Sequence, residues 1–183
     1  MARPSQREAV LDAFQDLIVE VGAANVTLED TAARSGVSKG GLLYHFPSKS
    51  SLFAGLCDRL AAAIDRTIEE APDDPEGLVR WYLGSATDVV LGDDTLWLAL
   101  FAATHAVDDD VAEILGELFA RYSAPLAPLP RALGEHVRLV SDGLYFNALI
   151  GGPRPDPDAL RTITDTLIES IPDSLVTRRP DAT

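Results

Sequence analysis

The feature that most constrains this chain is the spacing of its apolar residues. Ala9, Val10, Ala13, Phe14, Leu17, Ile18 and Val21 recur at i, i+3 and i+4, the stripe of a helix with one buried face. Leu52, Phe53, Leu56, Leu60, Ile64 and Ile68 repeat the pattern farther along. No alternating run of β-branched residues argues for a strand, so the expected fold class is all-α. Local signals place the ends. Ser5 with Glu8, and Thr27 with Asp30, have capping-box spacing, while Gly22 and Gly36 suit helix stops. Pro47 ends a short helix near Phe46, because the residue before a proline disfavours helical geometry, and Ser48 caps a long helix reaching about residue 71. Past the break "PDDPEG" (72–77), five further helices are expected at roughly 76–91, 94–106, 109–123, 129–151 and 157–171, nine in all.

Composition narrows the class. Hydrophobic residues make up 46% of the 183, enough for a sizeable core. Cys57 is the only cysteine, so neither a disulfide framework nor a cysteine zinc cluster is available. The start "MARPSQREAV" carries no apolar segment, and the longest run without a polar residue, Leu96 to Ala103, is far short of a bilayer span. A soluble, cytoplasmic protein with no membrane association is expected. The net charge of −14 opposes nucleic-acid binding if spread evenly, but it is not. Residues 1–50 hold 5 basic and 6 acidic side chains, net −1, and residues 51–183 hold 10 and 23, net −13. The only two lysines are Lys39 and Lys49.

Both lysines lie in or beside "SGVSKGGLLYHF" (35–46), which fits two patterns. Gly36-Val37-Ser38-Lys39-Gly40 matches G-x-S-x-G, the elbow of a serine hydrolase, with Asp108 and His136 downstream in the matching order. That elbow needs a buried strand before the serine, and "LEDTAARS" is amphipathic and helix-forming. The competing pattern is a helix-turn-helix: two short helices, Thr27–Ser35 and Ser38–Phe46, joined at Gly36-Val37. Small Ala32 and Ala33 allow close crossing, and Val37 is placed to join Phe14, Ala32 and Leu42 in a small core. A protein that is not an enzyme is therefore expected, with Ser38 a cap rather than a nucleophile. The remaining alternative is a helical protein–protein adaptor that has lost DNA binding.

The stretch "VTLEDTAARSGVSKGGLLYHFPSKSSLF" (26–53) resembles the DNA-binding domain of the TetR family of bacterial transcriptional regulators. The resemblance rests on a capping Thr, Ala in the second helix, Gly-Val-Ser at the turn, Gly-x-Leu in the third helix, His-Phe at its end, and Lys four residues before Phe53. It implies a helix-turn-helix DNA-binding domain over residues 1–47 and an effector-binding and dimerisation domain over 48–172; the polar stretch over 173–183 is expected to be a flexible tail. It further implies a homodimer that represses transcription from a palindromic operator and is released by a small-molecule effector, with no cofactor. Such release follows from linkage if the effector prefers the conformation that does not bind DNA, with the fourth helix as the expected lever.

The expected DNA contacts are Thr27, Ser38, Lys39, Gly40, Gly41, Leu43, Tyr44, His45 and Lys49. Lys39 can donate to guanine O6 and N7. Gly40 and Gly41 cost helix propensity, which is explained by close backbone approach to DNA or by tolerance at a helix start. Tyr44 and His45 can donate to phosphates, the alternative for His45 being a surface packing position. By resemblance Lys49 clamps a phosphate beside the amides that Ser48 exposes, and Thr27 touches one while capping its helix. Arg3 and Arg7 could reach the minor groove or the backbone. Two positions depart from the family pattern. Leu43 stands where an aromatic is frequent and offers an apolar contact to a thymine methyl, and Ser50 stands where an acid is usual.

For the effector, Trp97, Phe101 and His105 repeat every four residues on one face, apolar rings with one polar handle. Asn147 is a second handle, and Trp81, Tyr122 and Tyr145 complete the expected lining. Asp108-Asp109-Asp110 reads as an acidic helix start rather than a metal site. The stripe Leu144, Ala148, Leu149, Leu160, Ile163, Leu167 and Ile171 is expected at the dimer interface, with Gly143 and Gly151 permitting close approach.

Overall fold

The computed structural model describes residues 5–89, 100, 109–149 and 152–176. Every regular element among them is helical: α1 (Gln6–Val21), α2 (Leu28–Ser35), α3 (Lys39–His45), α4 (Lys49–Ile68), α5 (Pro75–Val89), α6 (Asp109–Ser123), a 3-10 turn (Ala124–Leu126), α7 (Arg131–Leu149), α8 (Pro157–Glu169) and α9 (Asp173–Val176). The expected helix at 94–106 lies outside the described residues except at Leu100. The ninth described helix is instead α9, in a stretch expected to be tail. Its Leu175 packs against a buried apolar cluster. The described helices fall into two compact units. The first contains α1–α3, α4 as far as Ile64, and α6 as far as Phe119; the second contains the end of α4, α5, and the chain from Ala120 through α9.

In the first unit, the α1 stripe becomes the core: Val10, Leu11, Phe14 and Ile18 are buried, as are Leu42 of α3 and Leu52, Phe53 and Leu56 of α4. Each such side chain contributes about 1.5–3 kcal/mol on leaving water. Phe14 and Phe53 meet edge to face at 4.9 Å. Ser5 caps α1 by accepting the Glu8 amide at 3.2 Å. The Glu8 carboxylate, however, is drawn to Arg59 of α4 at 2.6 Å. Gly22 stops α1 at φ +84°, its amide donating to the Ile18 carbonyl. Ser48 opens α4 through a reciprocal pair with Ser51, each hydroxyl accepting the other residue's amide at 3.1 Å. Gly55 lets α4 pass close to its neighbours, since a Cβ there would lie 2.9 Å from both Leu11 and Phe46. Cys57 is a buried core residue whose thiol is pushed up by burial.

In the second unit, α5 packs on α7, α8 and α9. Asp74 accepts the Gly77 amide at 2.8 Å, and Pro75 begins α5, where a missing N–H costs nothing. Val79, Tyr82, Leu83, Leu126, Leu129, Leu133, Val137 and Ile171 form the buried cluster. Burial, with Tyr122 adjacent, pushes the Tyr82 phenol well above its usual range. Ile171, expected at the dimer interface, is thus part of this core, and Leu144 and Leu167 pack partly on the same cluster.

Candidate nucleic-acid interface

The helix-turn-helix is built by side chains that satisfy its own backbone. Thr27 and Asp30 complete a capping box: the Thr27 hydroxyl accepts the Asp30 amide at 3.1 Å and donates to the Asp30 carboxylate at 2.6 Å. Buried Thr31 donates to the Thr27 carbonyl at 2.9 Å. Gly36 ends α2 in the left-handed region at φ +68°, where a Cβ would be penalised. Ser35, a residue the sequence does not single out, fastens the turn: its hydroxyl donates to the Ala32 carbonyl and accepts the Val37 amide. Ser38 then caps α3, its hydroxyl accepting the Gly41 amide at 3.1 Å. The serine thus sits between two helices, not at a strand-to-helix elbow, and its oxygen serves the cap.

Leu42 is fully buried and Phe46 nearly so, which anchors one side of α3. Lys39, Gly40, Leu43 and Tyr44 occupy the opposite, exposed side, with Tyr44 85% exposed. These positions (i, i+1, i+4, i+5) form a continuous outward strip. His45 is half-buried, its ring edge-on to Tyr44 at 5.1 Å. The two glycines separate in role. A Cβ on Gly41 would lie 3.0 Å from Val37 and 3.3 Å from the Ser38 hydroxyl, so the turn itself favours glycine there. A Cβ on Gly40 would meet nothing within 4 Å.

The cations of this segment are already engaged. Lys39 donates to Glu29 on the first turn of α2, holding that carboxyl below its usual range. Arg34 grips Glu20 through both nitrogens at 2.8 and 2.6 Å, tying α2 to α1. Arg7 lies over the Phe46 ring at 5.3 Å and pairs with Glu8, so it belongs to the packing of the unit. Arg3 is outside the described residues. The Lys49 ammonium donates to the Ala24 carbonyl at 3.3 Å and is pushed down by burial, bracing the start of α4 on the α1–α2 turn.

Of the expected effector lining, Trp97, Phe101 and His105 lie outside the described residues. Trp81 and Tyr122 are half-buried and gather around Tyr82, with ring centroids 6.2 Å (Trp81–Tyr122) and 4.9 Å (Tyr82–Tyr122) apart. Tyr145 is half-buried on α7. Asn147 spends its amide on its own helix, donating to the Gly143 carbonyl at 2.9 Å, and its carbonyl accepts the Gly152 amide. Next to Tyr82 stands a polar group that the sequence reading missed. Buried Ser141 donates to the Tyr82 carbonyl, and Arg138 binds Asp142 at 2.7 Å and Glu135 at 2.9 Å. The spacing of these charges, three and four residues apart on one helix, was the available signal. Burial, only partly offset by Arg138, raises the Asp142 carboxyl.

Of the expected interface residues, Ala148, Leu160 and Ile163 are half-buried, and the Leu149 side chain is not described. Leu139 and Phe146, outside the expected stripe, are each 56% exposed. With exposed Gly143 they lie at i, i+4 and i+7, on one face of α7. No described helix is long and apolar enough to cross a membrane.

Comparison with known proteins agrees with this geometry. The profile of bacterial regulatory proteins of the tetR family matches residues 10–56, and that of the tetracyclin repressor-like C-terminal domain matches residues 76–172. The transcriptional regulator EthR of Mycobacterium tuberculosis is 25% identical over 189 residues, covering 91% of this chain and 87% of its own. Two solved structures share the fold at 20% identity. A TetR-family member from Streptomyces coelicolor superposes with a TM-score of 0.74 and multidrug-binding EbrR, complexed with malachite green, with 0.73; each covers 92% of this chain and 99% of its own. The matched profiles span both the helix-turn-helix and the helical region after it, and the chain belongs to the TetR family of bacterial transcriptional regulators.

Proposed function

We propose that the protein acts in the cytoplasm as a homodimeric repressor that occupies a palindromic operator and is released by a small molecule. The outward strip of α3 carries this reading: Lys39, Gly40, Leu43 and Tyr44 stand exposed while Leu42 and Phe46 fix the opposite side. A helix held in this way fits a major groove, with Lys39 donating to guanine and Leu43 meeting a thymine methyl. Tyr44, His45, Thr27, Ser38 and Lys49 are assigned to phosphates, which position the helix without reading sequence. Gly40, whose missing side chain serves no contact within the chain, is assigned to close approach by DNA.

Two-fold pairing through α7 and α8 is supported by Leu139, Gly143 and Phe146 on one exposed face of α7 and by half-buried Leu160 and Ile163 of α8. The effector is assigned to the aromatic pair Trp81 and Tyr122, with Tyr145 of α7 as a further candidate, and the similar protein EbrR is known in complex with malachite green. Selection from random duplex DNA tests the proposal, which expects a palindrome to enrich. Lys39→Ala should then change the preferred bases, whereas Lys49→Ala should weaken every site to a similar extent. Failure of any duplex to enrich, or wild-type binding by both variants, would overturn it.

A further inference from the structure

Lys39 is the only lysine or arginine on α3, and its ammonium is held by the Glu29 carboxylate from the first turn of α2. Both partners are well exposed, 60% and 63%, so the pair sits on the surface rather than in the core. Neither side chain is needed for the caps around it, since Thr27 uses Asp30 and Ser38 uses the Gly41 amide. We propose that Glu29 is a positioning residue that acts through Lys39 and sets how much this lysine contributes to DNA affinity. This rests on α3 being the DNA-reading helix. Glu29 keeps the ammonium from ordinary phosphates and yields it to a base edge with two acceptors.

The physical basis is competition. A carboxylate and a phosphate each carry one negative charge, so moving the lysine from Glu29 to a phosphate gains little, and the intramolecular partner has the advantage of a high effective concentration. Guanine O6 and N7 offer two acceptors within a groove flanked by phosphates, and there the exchange is favourable. On random DNA, therefore, Lys39 stays with Glu29 and adds nothing to the electrostatic affinity. On the operator it transfers.

The test is a double-mutant cycle in the full-length protein, measuring affinity for an operator and for a random duplex against salt concentration. Glu29→Gln preserves size and removes the charge. It should release Lys39 to a phosphate, steepening the log–log salt dependence on random DNA by about 0.9 and tightening that binding by less than about fivefold, the worth of an exposed ion pair. The operator, where the wild-type lysine already leaves Glu29, gains the whole worth of that exposed ion pair, at most about fivefold. With Lys39→Gln already in place, Glu29→Gln should leave the salt dependence unchanged. An equal steepening in that background would make Glu29 a plain repulsive charge and sink the inference, as would an unaltered slope in the single variant. If the wild-type protein prefers no duplex, the DNA-reading assignment of α3 falls first and this inference with it. Circular dichroism of each variant confirms that the helices are retained.

Discussion

The Arg59 guanidinium of α4 lies 2.6 Å from the Glu8 carboxylate of α1, and its other terminal nitrogen lies 2.8 Å from Asp12. Gln15 and the Glu8 carbonyl complete its partners at 3.4 Å. A single side chain thus spans nearly two turns of α1 from α4. Replacing it with alanine leaves the carboxylates free to find water, because Glu8 and Asp12 are 44% and 59% exposed, so the cost is smaller than for a buried pair. Arg59→Ala should destabilise the protein by about 1–2 kcal/mol, measured by urea unfolding. Arg59→Lys should recover only part, since an ammonium cannot reproduce the forked geometry.

The two glycines of α3 should behave oppositely. Gly40→Ala places its methyl in open space and removes the glycine penalty, raising thermal stability by up to about 1 kcal/mol while weakening operator binding. Gly41→Ala presses on Val37 and the Ser38 cap, so its propensity gain is cancelled or reversed. Melting curves and operator titrations on both variants provide the check. A Gly40→Ala protein that is more stable and binds normally would remove Gly40 from the interface.

Asp142 gives a pH signature of defined sign. Burial raises its carboxyl in the folded state, so the native protein holds this proton more tightly than the unfolded chain. The group therefore costs stability as pH rises from the ordinary carboxylate range through its raised folded value. Asp142→Asn should remove that loss, so its stability relative to wild type should grow between pH 4 and pH 7 in urea titrations. Arg138 keeps Glu135 as a partner in the variant. A constant difference across that range would show that Asp142 ionises equally in both states.

What was legible in the sequence was local. The Thr27–Asp30 box, the Gly36 stop, the Ser38 cap and the α1 stripe all depend on residues within four positions of one another, and each appears in the structure, except that Val21 at the end of the stripe is exposed. The pairings that shape the DNA-facing unit depend on distance in sequence. Glu29–Lys39 spans ten residues and Glu8–Arg59 spans 51, and no periodicity marks them. Ile171 shows a second limit. An apolar stripe identifies a face to be covered without saying whether the cover comes from the same protomer or from another, and here α9, α5 and the loop before α7 lie in the same unit. The polar composition of residues 173–183 hid Leu175, which packs on that cluster from the short α9.

The close passage at Gly55 bears on protein engineering. Because Leu11 and Phe46 both press on that glycine, and Phe53 closes over Phe14, the first sixteen residues of α4 are part of the structural body of the DNA-reading head. A chimera joined just after Phe46 would strip Leu52, Phe53 and Leu56 from the core of the head. A graft that carries the chain through Ile64 would keep these α4 contacts.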